Sequence, residues 1–257
     1  YNGEAIVERR LRYLDPVVDM FVVVEARETH AGDPKPVLYV AKNRAIFAKY
    51  AHKTTFLIID AFPPAPPDWP PPEHTWILDN HAAWWRECCQ RDAALPLLRG
   101  LHVKDRLLAL VCDADEIPSR DAVHALAEEY DLVAARPSVH LSMSMHYYSF
   151  EYSLPQQWFH PFAIAGARLG SSLTAVRCER VAALLPDAGW HCSYFMEPHE
   201  IKRKIMSFAH REFDDGASAD ELAERVASGA DVLGRDGAPL VHTPLAVLAA
   251  VPAELLQ

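Results

Sequence analysis

The sequence predicts an α/β fold, a Rossmann-like mixed sheet flanked by helices, and three observations predict it. Short apolar runs rich in β-branched residues, at 20–25 and 55–60, alternate with segments of helical periodicity. A third apolar run, 107–112, stops abruptly at Asp113-Ala114-Asp115-Glu116. The carboxyl end of a strand is where open α/β sheets hold their ligands. The chain has 257 residues, 50% of them hydrophobic, which is ample for a buried core.

The elements follow in order. Tyr1-Asn2-Gly3-Glu4 leads straight into a helical pattern with Val7, Leu11 and Leu14 on one face. No strand or initiator methionine precedes it, so the sequence is read as starting partway into the domain, with the first strand missing. Residues 20–25 (MFVVVE) form an interior strand. A polar loop over 29–36 carries Gly32 and Pro34-Lys35-Pro36, and 37–50 is helical at least from Lys42. Residues 55–60 (TFLIID) form a second buried strand ending in an acid. The stretch 62–72 holds seven prolines, whose fixed φ and missing N–H exclude regular structure, so it is a stiff surface loop. Residues 84–99 read as a helix, 107–112 as the strand before the acidic motif, and 120–129 as a helix with Val123 and Leu126 inward.

The rhythm then changes. Residues 132–136 read as a strand, and 138–152 (SVHLSMSMHYYSFEY) alternate as in an exposed or antiparallel one. Residues 158–173 are irregular, 174–185 helical, and 189–195 (GWHCSYF) strand-like. A helix over 198–208 has Pro198 in its first turn, and another over 218–228 is capped by Ser218 with Glu221 three positions on. There is no internal repeat.

Composition excludes some functions. The net charge is −10 with no basic run, which argues against nucleic acid and anionic membrane as partners. No stretch has the apolar length of a transmembrane span, and the start is not a signal peptide. The five cysteines (Cys88, Cys89, Cys112, Cys178, Cys192) are odd in number and lack zinc-site spacing. A reduced, soluble, cytoplasmic protein is expected.

The acidic motif carries the chemistry. Carboxylates beside a buried strand need partners, because desolvating an unpaired charge is costly. In an extended segment alternate side chains point the same way, so Asp113 and Asp115 can converge on one divalent cation. An acidic loop entering a helix, with Ser119 as N-cap and Asp121 in the first turn, fits the same residues.

Four blocks then resemble glycosyltransferase family 17. They are Asn2-Gly3-Glu4 through Arg12, Asp15-Pro16-Val17-Val18-Asp19 and Phe21 to Glu25, on to Thr29 and Pro34-Lys35-Pro36; Trp85, Glu87 and Gln90-Arg91; Asp113 to Arg120; and Gly189-Trp190-His191-Cys192-Ser193-Tyr194-Phe195 with Ile201, Lys204 and Ser207-Phe208. The resemblance implies a GT-A-type fold, a divalent metal (manganese first, magnesium second), a UDP-sugar donor with N-acetylglucosamine as the first choice, and inverting transfer to a saccharide or glycoconjugate hydroxyl. It also implies one domain over 1–235, with a nucleotide-sugar-binding half at 1–130, an acceptor-side half at 131–235, and a tail at 236–257. Family members have a strand before the first block, and animal members a membrane anchor and stem; none is present in this sequence.

Residue roles follow from that resemblance. Asp113 and Asp115 grip the metal, Asp115 directly and Asp113 through water or a ribose hydroxyl, with His191 completing the site. Glu116 either assists or marks the helix entry. The general base is expected at Glu197, with Glu200 and Glu212 as further candidates; Glu197 would equally complement a helix dipole. Glu25, ending its strand, either accepts from the uracil imide or a ribose hydroxyl or is a solvated strand end. Lys35, Arg44 and Arg91 are donor-phosphate candidates, though Arg91 and Glu87 have the spacing of a helical ion pair. Trp158 and Trp190 are candidate acceptor-stacking faces. Two other readings compete: a nucleotidyltransferase-like enzyme, which lacks a visible glycine-rich phosphate loop, and a non-catalytic saccharide- or nucleotide-binding module. Donor hydrolysis separates the module from the enzymes, and the released product separates the two enzymes.

Overall fold

The computed structural model describes residues 6–70, 77, 80–102, 106–179, 181–210, 215–235, 240–245 and 251–256. In chain order the elements are α1 (Ile6–Leu14), β1 (Phe21–Ala26), α2 (Tyr39–Lys42), α3 (Arg44–Ala48), β2 (Thr54–Ile59), α4 (His81–Asp92), α5 (Leu95–His102), β3 (Leu108–Val111), β4 (Glu116–Pro118) and α6 (Arg120–Glu128). They continue as α7 (Tyr130–Ala134), β5 (Val139–Tyr147), β6 (Tyr152–Trp158), β7 (Phe162–Ala165), α8 (Leu173–Cys178), β8 (Leu184–Ser193), α9 (Pro198–Ser207), α10 (Ala219–Ser228), β9 (Val241–His242) and α11 (Ala253–Leu256). The chain divides into two compact units. One gathers Tyr1–Gly3, Met20–Ala94 and Glu197–Asp236; the other gathers Glu4–Asp19, Leu95–Met196 and Gly237–Gln257.

The first unit is built on a parallel pair, β1 and β2, in register from Phe21↔Thr54 to Ala26↔Ile59. The expected helix over 37–50 is interrupted at Asn43, whose side-chain amide donates to the Tyr39 carbonyl at 3.0 Å and separates α2 from α3. Gln90 on α4 donates to the Val24 carbonyl at 3.2 Å, tying α4 to β1. Both α9 and α10 start with capping boxes, and α10 ends at Gly229 with φ +68°, as the left-handed stop of a helix requires.

The second unit holds a mixed sheet with β5 at its hub. Strand β5 pairs antiparallel with β7 and β6 and parallel with β8; β3 extends from β7, β9 from β6, and β4 pairs antiparallel with β8. Leu126, Val133, Leu141, Met143, Ala163 and Ala188 form the core on which α6 and α7 rest. Pro155 and Gln156 fall where the β5–β6 register slips, so the missing N–H of Pro155 breaks no ladder bond there. α11 docks on α1, with Arg12 donating to the Glu254 carbonyl at 2.6 Å and Leu255 wholly buried.

Several sequence expectations are corrected here. Residues 132–136 lie largely in α7 and not in a strand; a short apolar run does not distinguish the two, and the helix buries Val133 while Leu132 stays exposed. The expected single helix over 84–99 is two, because Pro96 cannot donate back to α4. The irregular 158–173 contains β7, and the helix expected over 174–185 ends at Cys178, with β8 beginning at Leu184. Among the described residues no helix is long and apolar enough to cross a membrane, and no disulfide joins the cysteines.

Candidate active site

The acidic motif sits in the tight connection between β3 and β4. The Glu116 N–H donates to the Asp113 carbonyl at 3.1 Å, closing a turn over Ala114 and Asp115. Strand β4 then lies against β8 with Glu116 opposite His191, Ile117 opposite Trp190 and Pro118 opposite Gly189. Gly189 makes that approach possible: a Cβ there would stand 2.1 Å from the Ile117 carbonyl oxygen, and its φ of +146° disfavours any side chain. The Cys192 N–H donates to the Asp115 carbonyl at 2.7 Å, locking the turn onto β8.

The pairing brings Asp115 to His191. His191 Nε2 lies 3.7 Å from Asp115 Oδ1 and 3.1 Å from Ser193 Oγ, and both Asp115 and His191 are buried. The Trp158 ring stacks on the His191 ring, centroids 4.4 Å apart and tilted by 30°. Asp113 is placed differently. The turn at 114–115 breaks the alternation that would aim both aspartates the same way, and Asp113 Oδ2 accepts from Arg177 at 2.7 Å. Among the described residues no three His, Cys, Asp or Glu side chains stand together as a metal site. The donor set at hand is therefore the Asp115–His191 pair. One carboxylate and one imidazole suit a divalent cation that completes its shell with water and ligand phosphates.

Glu116 lies on β4 and not at the entry of α6. It is 0% exposed and accepts from Arg177 twice (2.7 and 3.2 Å), from the Trp158 indole N–H (2.6 Å) and from the Asp113 N–H (2.5 Å). The Arg10 guanidinium also donates to the Asp113 carbonyl. Ser119 does cap α6, accepting from the Ala122 N–H at 3.1 Å, so the helix-entry reading holds for the residues after the motif. Burial pushes the Cys112 thiol up to about 12, with Arg10 opposing, so this neighbour of the motif is protonated at neutral pH. Burial likewise brings His146, beside β8, down to about 4; it bonds Ser144 Oγ and the Phe150 carbonyl as a neutral ring.

The remaining expected residues have the following surroundings. Trp190, on β8, is buried and packs edge-on to Tyr13 at 5.9 Å, a core environment. Trp158 is at the site, but its N–H is taken by Glu116. Glu25, Lys35, Arg91 and Glu197 belong to the other unit. Glu25 is no solvated strand end: 1% exposed, it accepts from the Tyr39 and Val40 N–H groups at 2.7 and 3.1 Å, anchoring the start of α2, with Lys35 Nζ 3.7 Å away. Arg91 makes the helical pair with Glu87 at 3.1 Å. Arg44 is exposed on α3. Glu197 is exposed at the N-cap of α9, its N–H donating to Glu200 at 3.3 Å. Glu212 lies outside the described residues.

Arg177 escaped sequence reasoning. Its signal was present, since it shares a helical face with the buried Leu173 and Thr174, and an arginine on a buried face implies an internal anion. Ser193 was visible as a member of the Gly-Trp-His block without a role, and His146 only as a strand residue.

Comparison with known proteins bears on what this geometry serves. The profile of Glycosyltransferase family 17 matches residues 2–235. Beta-1,4-mannosyl-glycoprotein 4-beta-N-acetylglucosaminyltransferase of Rattus norvegicus is 25% identical over 233 residues, covering 81% of this chain and 41% of the relative. The protein of that name from Homo sapiens is 25% identical over 233 residues (81% and 42%), and that from Mus musculus 26% over 238 residues (81% and 41%). The chain thus spans about two fifths of the length of the curated relatives it matches. No solved structure matches it. The matched range includes the Asp113–Glu116 turn and the β8 segment that faces it, and on that match the chain belongs to glycosyltransferase family 17.

Proposed function

We propose that this chain is the catalytic domain of an inverting, metal-dependent glycosyltransferase of GT-A type that moves N-acetylglucosamine from UDP-N-acetylglucosamine to a saccharide hydroxyl. The observation that carries the reading is the Asp115–His191 pair, 3.7 Å apart where the turn that follows β3 meets β8. Family membership and the activity the relatives are named for support the transfer chemistry and the sugar.

Asp115 and His191 would hold the divalent cation, manganese or magnesium, which when bound neutralises the charge that grows on the leaving diphosphate. The rest falls to side chains of this chain. Trp158 fixes the plane of the His191 ring by stacking, and the Ser193 hydroxyl bonds Nε2, the nitrogen that faces Asp115, a bond that a cation at Nε2 would replace. Arg177 and the Trp158 indole N–H both donate to Glu116 and hold its side chain beneath the turn. Inversion needs a base at the acceptor hydroxyl, and Glu197, an exposed carboxylate, is assigned that role.

A thermal-shift titration tests the reading. UDP and UDP-N-acetylglucosamine are added with and without Mn2+ to the wild-type chain and to Asp115→Ala. Stabilisation by both ligands that requires Mn2+ and vanishes in the variant is the expected result, with released UDP detected once an acceptor saccharide is supplied. A wild-type chain that neither ligand shifts at any Mn2+ concentration overturns it.

A further inference from the structure

We propose that His160 is a donor-binding residue, one ring nitrogen of which accepts a hydrogen bond from a hydroxyl of the nucleotide sugar. The proposal rests on the donor-site reading above and deepens it.

His160 lies in the connection between β6 and β7, and the backbone on either side of it is clipped to β5. The Phe159 carbonyl bonds His140 Nδ1 at 2.8 Å, and the Pro161 carbonyl accepts from the Leu141 N–H at 2.8 Å. Pro161 also fixes its own φ, so the imidazole stands on a short rigid link. His140, His146 and His191, on β5 and β8, are buried, whereas His160 is exposed and within reach of a ligand. Its ring packs on Trp158 with centroids 4.4 Å apart, and the same indole stacks on His191 at 4.4 Å. The two imidazoles therefore stand within twice that distance of each other. The sugar and the ribose of a donor are each joined directly to the diphosphate that a cation at His191 would hold.

The chemistry of the ring selects its partner. Its N–H donates to the Arg177 carbonyl, which fixes the tautomer and leaves the second nitrogen as an acceptor. Desolvation by the surrounding protein, and then the Arg177 guanidinium, lower its pKa from the ordinary value against the pull of Glu116 and Asp113, so the ring is neutral at neutral pH. A neutral acceptor nitrogen has no charge or proton to offer a phosphate oxygen. Its partner is an O–H group, and a nucleotide sugar carries these on the sugar and on the ribose.

Isothermal titration calorimetry in the presence of Mn2+ tests the proposal, with UDP and UDP-N-acetylglucosamine as ligands of the wild-type chain, H160F and H160Q. H160F keeps a ring on Trp158 and removes both nitrogens, while H160Q supplies a neutral acceptor and donor in their place. H160F is expected to bind UDP-N-acetylglucosamine about fivefold more weakly, roughly what one neutral hydrogen bond contributes, with H160Q within about twofold of wild type. The UDP titration locates the hydroxyl. Unchanged UDP affinity in H160F puts it on the transferred sugar, and a loss equal to that of the full donor puts it on the ribose. Because the residue is exposed, ligand-free H160F is expected to melt within about 2 °C of wild type; should it not fold, H160A removes the same nitrogens and takes its place. UDP-N-acetylglucosamine affinity in H160F within about twofold of wild type overturns the proposal. An equal loss in H160F and H160Q also overturns it, since the acceptor atom is then not what matters. A wild-type chain that binds neither ligand with Mn2+ overturns the donor-site reading and the proposal together, and no variant is needed to see it.

Discussion

Replacing Gly189 by alanine should damage the fold and the site through one contact. The new Cβ would meet the Ile117 carbonyl oxygen at 2.1 Å, the Pro118 Cα at 2.9 Å and the Ile117 carbonyl carbon at 3.0 Å. All three are backbone atoms, so no side chain can swing aside, and β4 has to retreat from β8 by about an ångström to restore a normal van der Waals distance. Overpacking of this kind costs about 1–3 kcal/mol, and alanine held at a glycine-type φ of +146° adds about 1–3 kcal/mol. The expected loss is about 4 kcal/mol, which for a unit of this size lowers Tm by roughly 10 °C. The retreat also parts Glu116 from His191, its cross-strand partner, and with it Asp115 from the imidazole. Urea denaturation measures the first effect, and the Tm increment from UDP with Mn2+ measures the second. Gly100→Ala on α5 is the control: its Cβ meets nothing within 4 Å, and a helical alanine in place of glycine gains about 0.5–1 kcal/mol. A Gly189→Ala protein within 1 kcal/mol of wild type on the order-of-magnitude scale of core substitutions, with its ligand shift intact, would refute the reasoning.

Two further outcomes are expected. Because burial holds His146 near 4 in the folded chain against an ordinary 6.5, the unfolded chain takes up the proton first as pH falls. Its contribution is complete above pH 6.5 and is lost between there and pH 4, amounting to about 3 kcal/mol; His146→Gln should flatten the slope of urea stability between pH 7.5 and 5, and an unchanged slope counts against it. Glu25→Gln should cost about 2 kcal/mol, because the start of α2 and Lys35 lose their charged acceptor; if stability holds while UDP affinity falls tenfold, Glu25 faces the donor and not α2.

The strands were the most legible part of the fold, and the reason is physical. Runs such as FVVVE and TFLII are β-branched, apolar and short, and they became β1 and β2 within a residue of the expected ends. Caps were legible too: Ser119, Ser218 and Pro198 act locally and do what their chemistry predicts. The failures share a cause. Residues 132–136 have an apolar pattern compatible with helix or strand, and the choice came from packing on the β5–β7 sheet, which no local window contains. Strand β4 is three residues long and exists because Gly189 lets β8 come close, a condition set some seventy residues away in rough count.

The acidic motif shows where motif reading stops. Three carboxylates in four residues direct attention to the end of β3, and the structure sets that turn against the Gly-Trp-His block. The assignment of roles within the motif relied on extended-strand alternation, and a turn at 114–115 removed that premise. Asp113 and Glu116 share a counter-charge on α8, 64 and 61 positions along the chain from them. A carboxylate acquires a function from the cation that meets it, and the sequence of the motif does not name that cation. Where a short acidic motif ends a buried strand, the search for its roles should therefore begin with arginines on the buried faces of helices. An arginine there has to be paired, and each carboxylate it pairs is held as a partner and is not open to a metal on that oxygen.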